Sequence, residues 1–295
     1  MKHIIYLTLA FLPLAVCAQT QVTVTEGKQL MSKGIQPSLL VEIPQVTLAE
    51  VEKDWLKYLG KESKEKNTTT GMEQRQAGII NDNISGKPFN VYSKVVEVSG
   101  GVHLTVWFTE NDTVFFSKES DSERQLAVEK FVYDFGVREY RQTVQKELNN
   151  EQKKQSALEN KLAGLIRAEE QSRKKIGENE RSIQKEKEAG VTNTSDRNTT
   201  TSKIEDQKDM VDYTSSDPNA TKGAKKTLKE LENDKKKSQN LTENQGKNID
   251  TWNKENRAEE RLIIESREDQ LLTVQDINIQ KQKVQEVQVK LDSIR

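Results

Sequence analysis

From about Asp121 to Arg295, apolar residues recur three and four positions apart over more than half of the sequence. That spacing lines them up on one stripe of an α-helix and leaves little else for this part of the chain to fold into. The first run starts at Ser120-Asp121-Ser122-Glu123, which has capping-box spacing, and extends to Glu188, where Gly190 ends it. At 1.5 Å per residue, its roughly 68 residues span roughly 100 Å. Its first part is densely apolar, with Leu126, Phe131, Val132, Phe135, Tyr140, Val144 and Leu148. It then thins to Leu158, Leu162, Leu165, Ile176 and Ile183, with the polar Gln155, Glu169 and Asn179 at intervening seam positions.

Residues 190–217 are rich in Thr, Ser, Asn and Asp and are predicted to form a polar tip loop, with a short helix at Ser202–Asp212 inside it. Asp217-Pro218 supplies an N-cap and a first-turn proline. A second helix then runs to the C-terminus, with Leu228, Leu231, Leu241, Ile249, Trp252, Ile263, Leu271, Val274, Ile277, Val284, Val287, Leu291 and Ile294 on its seam.

Neither helix buries its stripe alone. The expectation is an intramolecular antiparallel helical hairpin, a coiled coil, with pairing between two chains as the rival arrangement. A tip centred near residue 204 puts Leu291 near residue 119, Val284 near Leu126 and Trp252 near Leu158. Composition agrees with an extended, solvated architecture: 32% of residues are charged and only 5% aromatic. The 46 basic and 47 acidic residues are interleaved, which argues against the concentrated basic patch of a nucleic-acid-binding protein.

The region ahead of the helices reads as a small α+β head over residues 37–145, sharing its last helix with the hairpin of 121–295. Ser38–Ile43 is a strand that Pro44 ends. Thr47-Leu48-Ala49-Glu50 is a capping box, and the helix after it carries Leu48, Val51, Trp55 and Leu59 on one stripe before Gly60. Lys61–Gly71 is a loop. Val91–Ser99 and Val102–Thr109 form a hairpin around Ser99-Gly100-Gly101. Thr113–Phe116 is an expected fourth strand and Ile79-Ile80 an expected edge. The predicted head thus holds three or four antiparallel strands and two helices in a ferredoxin-like element order.

Residues 1–18 have the layout of a secretory signal peptide: Met1-Lys2, the apolar Ile4–Val16, and small residues before a cut after Ala18. Residues 19–36 read as a flexible leader. Cys17 is the only cysteine, and Leu14-Ala15-Val16-Cys17 partly resembles a lipobox. Val16 stands where a small residue is usual, so lipid anchoring through Cys17 is the secondary reading. No other stretch approaches transmembrane length.

Enzyme chemistry is hard to find after residue 18. His103 is the lone histidine and no cysteine remains, so the usual zinc sites and the serine or cysteine triads lack their parts. No metal or cofactor site is expected. Carboxylate pairs such as Glu169-Glu170, Glu186 with Glu188, and Glu259-Glu260 stand beside basic residues on helix faces, as solvated surfaces do. The Asn-x-Ser/Thr triplets at Asn67, Asn111, Asn193, Asn198, Asn219 and Asn240 follow from a Thr- and Asn-rich composition. Trp55 and Trp252 fall on packing stripes. Trp107 shares a strand face with His103 and Thr105; if helices cover only the Val102–Phe108 face, these three form an open contact surface.

Val51-Glu52-Lys53-Asp54-Trp55, Val91–Glu97 and Glu129–Phe135 together are similar to an uncharacterised family of exported Gram-negative bacterial proteins. The resemblance implies a small α+β head joined to a C-terminal coiled coil, and a place in the periplasm or cell envelope. The expected function is a non-enzymatic structural or interaction protein, with the coil as spacer or docking arm and an envelope protein or a second copy as partner. The alternative is a head that binds or processes a small ligand, with the coil as an oligomerisation device.

Overall fold

The computed structural model describes residues 21–63 and 65–295. The signal peptide and Cys17 lie outside the described residues. The chain divides into two compact units: residues up to Lys154 together with Gln280–Arg295, and Gln155–Ile279.

The first unit is an α+β domain built on a six-stranded sheet. Its elements are β1 (Thr23–Met31), β2 (Gly34–Pro44), α1 (Leu48–Gly60), β3 (Thr68–Thr70), β4 (Glu73–Asn81), β5 (Ser85–Val98) and β6 (Gly101–Thr109). Two long helices, α2 (Ser122–Tyr213) and α3 (Pro218–Ser293), follow. The sheet order is β1-β2-β6-β5-β4-β3, and every neighbouring pair is antiparallel. This corrects the expected three or four strands and the ferredoxin-like order: four strands in series follow α1, where that order needs one helix between each strand pair.

Three local differences explain the correction. β1 lies in what reads as a flexible leader. It is an edge strand with almost every side chain exposed, so it lacks the alternation that marks a half-buried strand. Its ladder with β2, closed through Ser32-Lys33 and a positive-φ Gly34, holds it in place. Ile79-Ile80 belongs to a full strand, β4, whose pairing with β5 shifts register twice and so blurs the period. Thr113–Phe116 makes only an isolated bridge, Phe115 to Thr109.

One face of the sheet carries the core. Leu39, Val41, Ile43, Phe89, Val91, Leu104, Val106 and Phe108 are buried there with Val51, Trp55 and Leu59 of α1. Val128, Val132, Phe135, Val144 and Leu148 of α2, Val287 of α3 and Ile294 just past its end join the cluster. Trp55 is fully buried, edge-on to Phe135 at 4.8 Å. Helix starts follow the sequence closely. The Thr47 hydroxyl accepts from the Glu50 amide, Asp121 accepts from the Arg124 amide, and Asp217 accepts from the amides of Asn219 and Ala220.

In the second unit α2 runs through residues 190–213 as helix, where a tip loop is expected; the turn lies at 214–217. The hydroxyls of Thr192, Thr194, Thr199, Thr200 and Thr201 each donate to the carbonyl four residues earlier, so these polar side chains follow the helix instead of competing with it. Ile204 and Ala224 bury the small apolar contact available there.

Partners across α2 and α3 fall in one sequence within this unit. Gln207 donates to the Ala224 carbonyl, Asn193 to Ser238 and Thr242, and Asn179 to Glu255 and Asn256. Nearer its other end, Lys175 pairs with Glu259, and Arg267 and Gln270 reach Glu169. This register replaces the expected one, in which Trp252 lies near Leu158. The offset follows from the later turn. In the first unit Gln280 donates to Glu151 and Lys290 to Glu147, so Val284 does not approach Leu126, which is exposed. Among the described residues no helix is long and apolar enough to cross a membrane.

Candidate contact surfaces of the first unit

The sheet face away from the core carries His103, Thr105 and Trp107, and the structure separates their roles. Trp107 is buried in a small cluster with Met31, Tyr92 and Phe115, so it is a packing residue and does not belong to an open surface. The physical cause is the segment after β6. Phe115 returns to Thr109 and, with Met31 from the β1–β2 hairpin, covers the indole. Neither contact is visible from the β6 sequence alone. His103 and Thr105 are half-buried at the surface. His103 faces Glu42 at 3.6 Å across the β2–β6 pair, and Thr105 lies between Leu40 and Lys94 in register.

Beside this cluster stands a polar knot that residue type alone does not reveal. Asp112 adopts a left-handed backbone conformation, φ 63°, which Asp tolerates better than most residues. Its carboxylate accepts from Asn90 at 2.8 Å and from Arg75 at 2.9 Å, and Arg75 also donates to the Tyr92 hydroxyl. Burial pushes the Asp112 carboxyl up, but the hydrogen bonds from Asn90, Arg75 and Tyr92 outweigh it and hold the group below its ordinary value. Burial raises the Tyr92 phenol. The only sequence signal is the turn pair Asn111-Asp112. The Asn111 side chain completes that turn by accepting from Thr113 and Val114.

A groove of about 990 Å³ lies elsewhere in the same unit, lined by Val22, Tyr133, Val137, Tyr140, Val287 and Ile294, with Gln45, Glu147 and Lys290 among its polar groups. Gln45 is the second residue with a left-handed backbone, φ 60°. Its amide donates to the Gly100 carbonyl, and its side-chain oxygen accepts from Lys290, which also pairs with Glu147 at 2.8 Å. Tyr133 donates to the Arg295 carbonyl. The sequence places Tyr140, Val287 and Ile294 on apolar stripes but does not show that they line one groove, because they meet only after the end of α3 returns to the start of α2. The arrangement offers two cations, Arg295 and a Lys290 paired with Glu147, together with two tyrosines and an apolar wall. It suits packing or binding better than acid–base chemistry.

No protein-family model matches the chain, and comparison with curated proteins finds no relative.

Proposed function

We propose that this chain is a non-enzymatic structural or interaction protein, exported to the periplasm or cell envelope of a Gram-negative bacterium. In this reading α2 and α3 form an intramolecular antiparallel hairpin, a coiled coil that serves as spacer or docking arm. One observation carries it: the polar side chains of α2 find partners on α3 of the same chain in an unbroken order, from Glu169 with Arg267 to Gln207 with Ala224. Partly buried polar pairs such as Asn179 with Asn256 are the kind that fix a single register. The export signal and the similarity of Val51–Trp55, Val91–Glu97 and Glu129–Phe135 to exported envelope proteins support the location.

The test is site-specific photo-crosslinking in intact cells, with the probe at exposed positions along α3, after fractionation. Recovery in the envelope fraction with a recurrent envelope protein attached is the expected result. Recovery from the cytoplasm, or no joined protein at any position, counts against the reading. A second reading, a first unit that binds a small ligand, draws on the 990 Å³ groove and the left-handed Gln45 at its edge. Its mark is ligand-dependent quenching of tyrosine fluorescence that a Tyr133→Phe or Lys290→Ala variant alters.

A further inference from the structure

Charges that interleave along the sequence separate by face on the first turns of α3. Residues 222–237 hold seven lysines against three acids, Glu230, Glu232 and Asp234, in a chain whose formal net charge is −1. At about 100° per residue, Lys222, Lys225, Lys226, Lys229, Lys236 and Lys237 fall within an arc about 120° wide. All six are exposed. No acidic residue of this stretch stands in the arc; Glu230 and Glu232 lie on its two flanks. The stripe runs about 22 Å along the helix, interrupted only by the neutral Asn233.

The arc faces away from α2. Ala224 and Ser238, which meet Gln207 and Asn193 of α2, lie on the opposite side of α3. The outer face of α2 at this level has the other sign: Asp206 and Asp209 are exposed there, across the helix from the buried Ile204. Helix stability does not account for the lysines. Lys222, Lys225, Lys226 and Lys229 stand three and four residues apart, and like charges at that spacing destabilise a helix. Lys130, Lys174 and Lys247 each pair with an acid four residues away, whereas of the six only Lys237 is held, by Asp234 at 3.2 Å. A repulsive row of cations is relieved by an array of anions laid along it.

We propose that the face of α3 from Lys222 to Lys237 docks flat on an anionic phospholipid surface. Between these two residues the arc carries no apolar side chain to insert, so contact is with the headgroup phosphates alone. A protein interface draws on aromatic and arginine side chains and is poor in lysine. Stacking aromatics, which a single-stranded nucleic acid uses, are also missing from this face. With α3 against the membrane, the acidic outer face of α2 points away from it, which fixes one orientation. The docking rests on the exported reading and adds the surface that the helices meet there.

The test is co-sedimentation of the chain beginning at Gln19, which lacks the apolar Ile4–Val16. One set of vesicles holds phosphatidylglycerol and phosphatidylcholine in equal parts, the other phosphatidylcholine alone. Binding to the first and not the second, weakening as salt rises, is expected. K225Q/K229Q should lower the partition at least about tenfold. K185Q/K187Q, the same loss of charge on exposed lysines of α2, should leave it unchanged. Circular dichroism should match for all three proteins, since glutamine suits a helix about as well as lysine. Docking is overturned by equal binding to both vesicles, by binding that K225Q/K229Q leaves unchanged, or by an equal loss in K185Q/K187Q. Tighter binding to duplex DNA than to the anionic vesicles at one salt concentration also overturns it. Absence of vesicle binding with the protein still recovered in the envelope fraction removes this surface and leaves the exported reading standing. Stripe-dependent vesicle binding by a protein recovered only from the cytoplasm does the reverse.

Discussion

Gly101 shows how much one hydrogen atom in place of a methyl can matter. A Cβ there falls 2.2 Å from the Ile43 carbonyl oxygen and 2.9 Å from the Pro44 Cα, both backbone atoms that cannot rotate away. Gly101→Ala should therefore destabilise the first unit by about 1–3 kcal/mol or more, read as a lowered midpoint in urea with an unchanged slope. Gly27→Ala meets no atom within 4 Å and serves as the control. The sequence marks Ser99-Gly100-Gly101 as a turn, and the turn is there. The demand on Gly101 comes from the end of β2 packed across it, and that contact depends on strand order, which no local pattern encodes. The same holds for Trp107. Its alternation with Phe108 is legible, but Met31 and Phe115, which bury it, come from a hairpin and a loop with weak signals of their own.

Among the elements, α2 is the most instructive. The N-cap of α3 was legible because capping is local chemistry, and that of α2 to within one residue, Asp121 capping it in place of the Ser120 of the expected capping box. Residues 190–213 were not, since Thr, Ser and Asn favour loops by propensity, and here the pairing with α3 overrides propensity. Asn193 does so directly, exchanging hydrogen bonds with Ser238 and Thr242. The joint just below is weak: Gly190 and Gly246 lie near one level, and Gln245, close to Gly190, leaves its buried side-chain oxygen without a donor. Replacing both glycines by alanine should strengthen the pairing by up to about 2 kcal/mol, seen as slower amide exchange in residues 191–244. Equal exchange in both proteins contradicts it.

Acid should loosen the same unit. The hydrogen bonds from Arg173, and then from Gln270 and Arg267, lower the Glu169 carboxyl from 4.5 to about 2. A lowered acid stabilises the fold above its unfolded pKa and loses that contribution as pH falls through the folded one. Melting followed between pH 4.5 and pH 2 should therefore show falling stability, and Glu169→Gln should flatten that fall. An unchanged profile counts against the role assigned to Glu169.

For the whole molecule, the sequence was sufficient for an α+β region followed by two long helices with closely matched apolar stripes. It was not sufficient for the register between them. Periodicity says which face is buried, but the pairing offset depends on where the turn falls, and the polar composition of 190–213 pointed to the wrong place. Leu271 and Val274 show the same limit: their spacing fits a seam with Ile277, yet the structure exposes both of them and buries Ile277 with Thr273.

The central claim is that α2 and α3 of one chain pair in this register. The most direct test places cysteines at positions 175 and 259, a K175C/E259C variant of the chain beginning at Gln19, and joins them with a short bis-maleimide at low protein concentration. Intact mass should show a single chain gaining one linker, while an L158C/W252C variant gains no intrachain bridge. Joined dimers only, or an intrachain bridge at 158 and 252 in place of 175 and 259, would contradict the account.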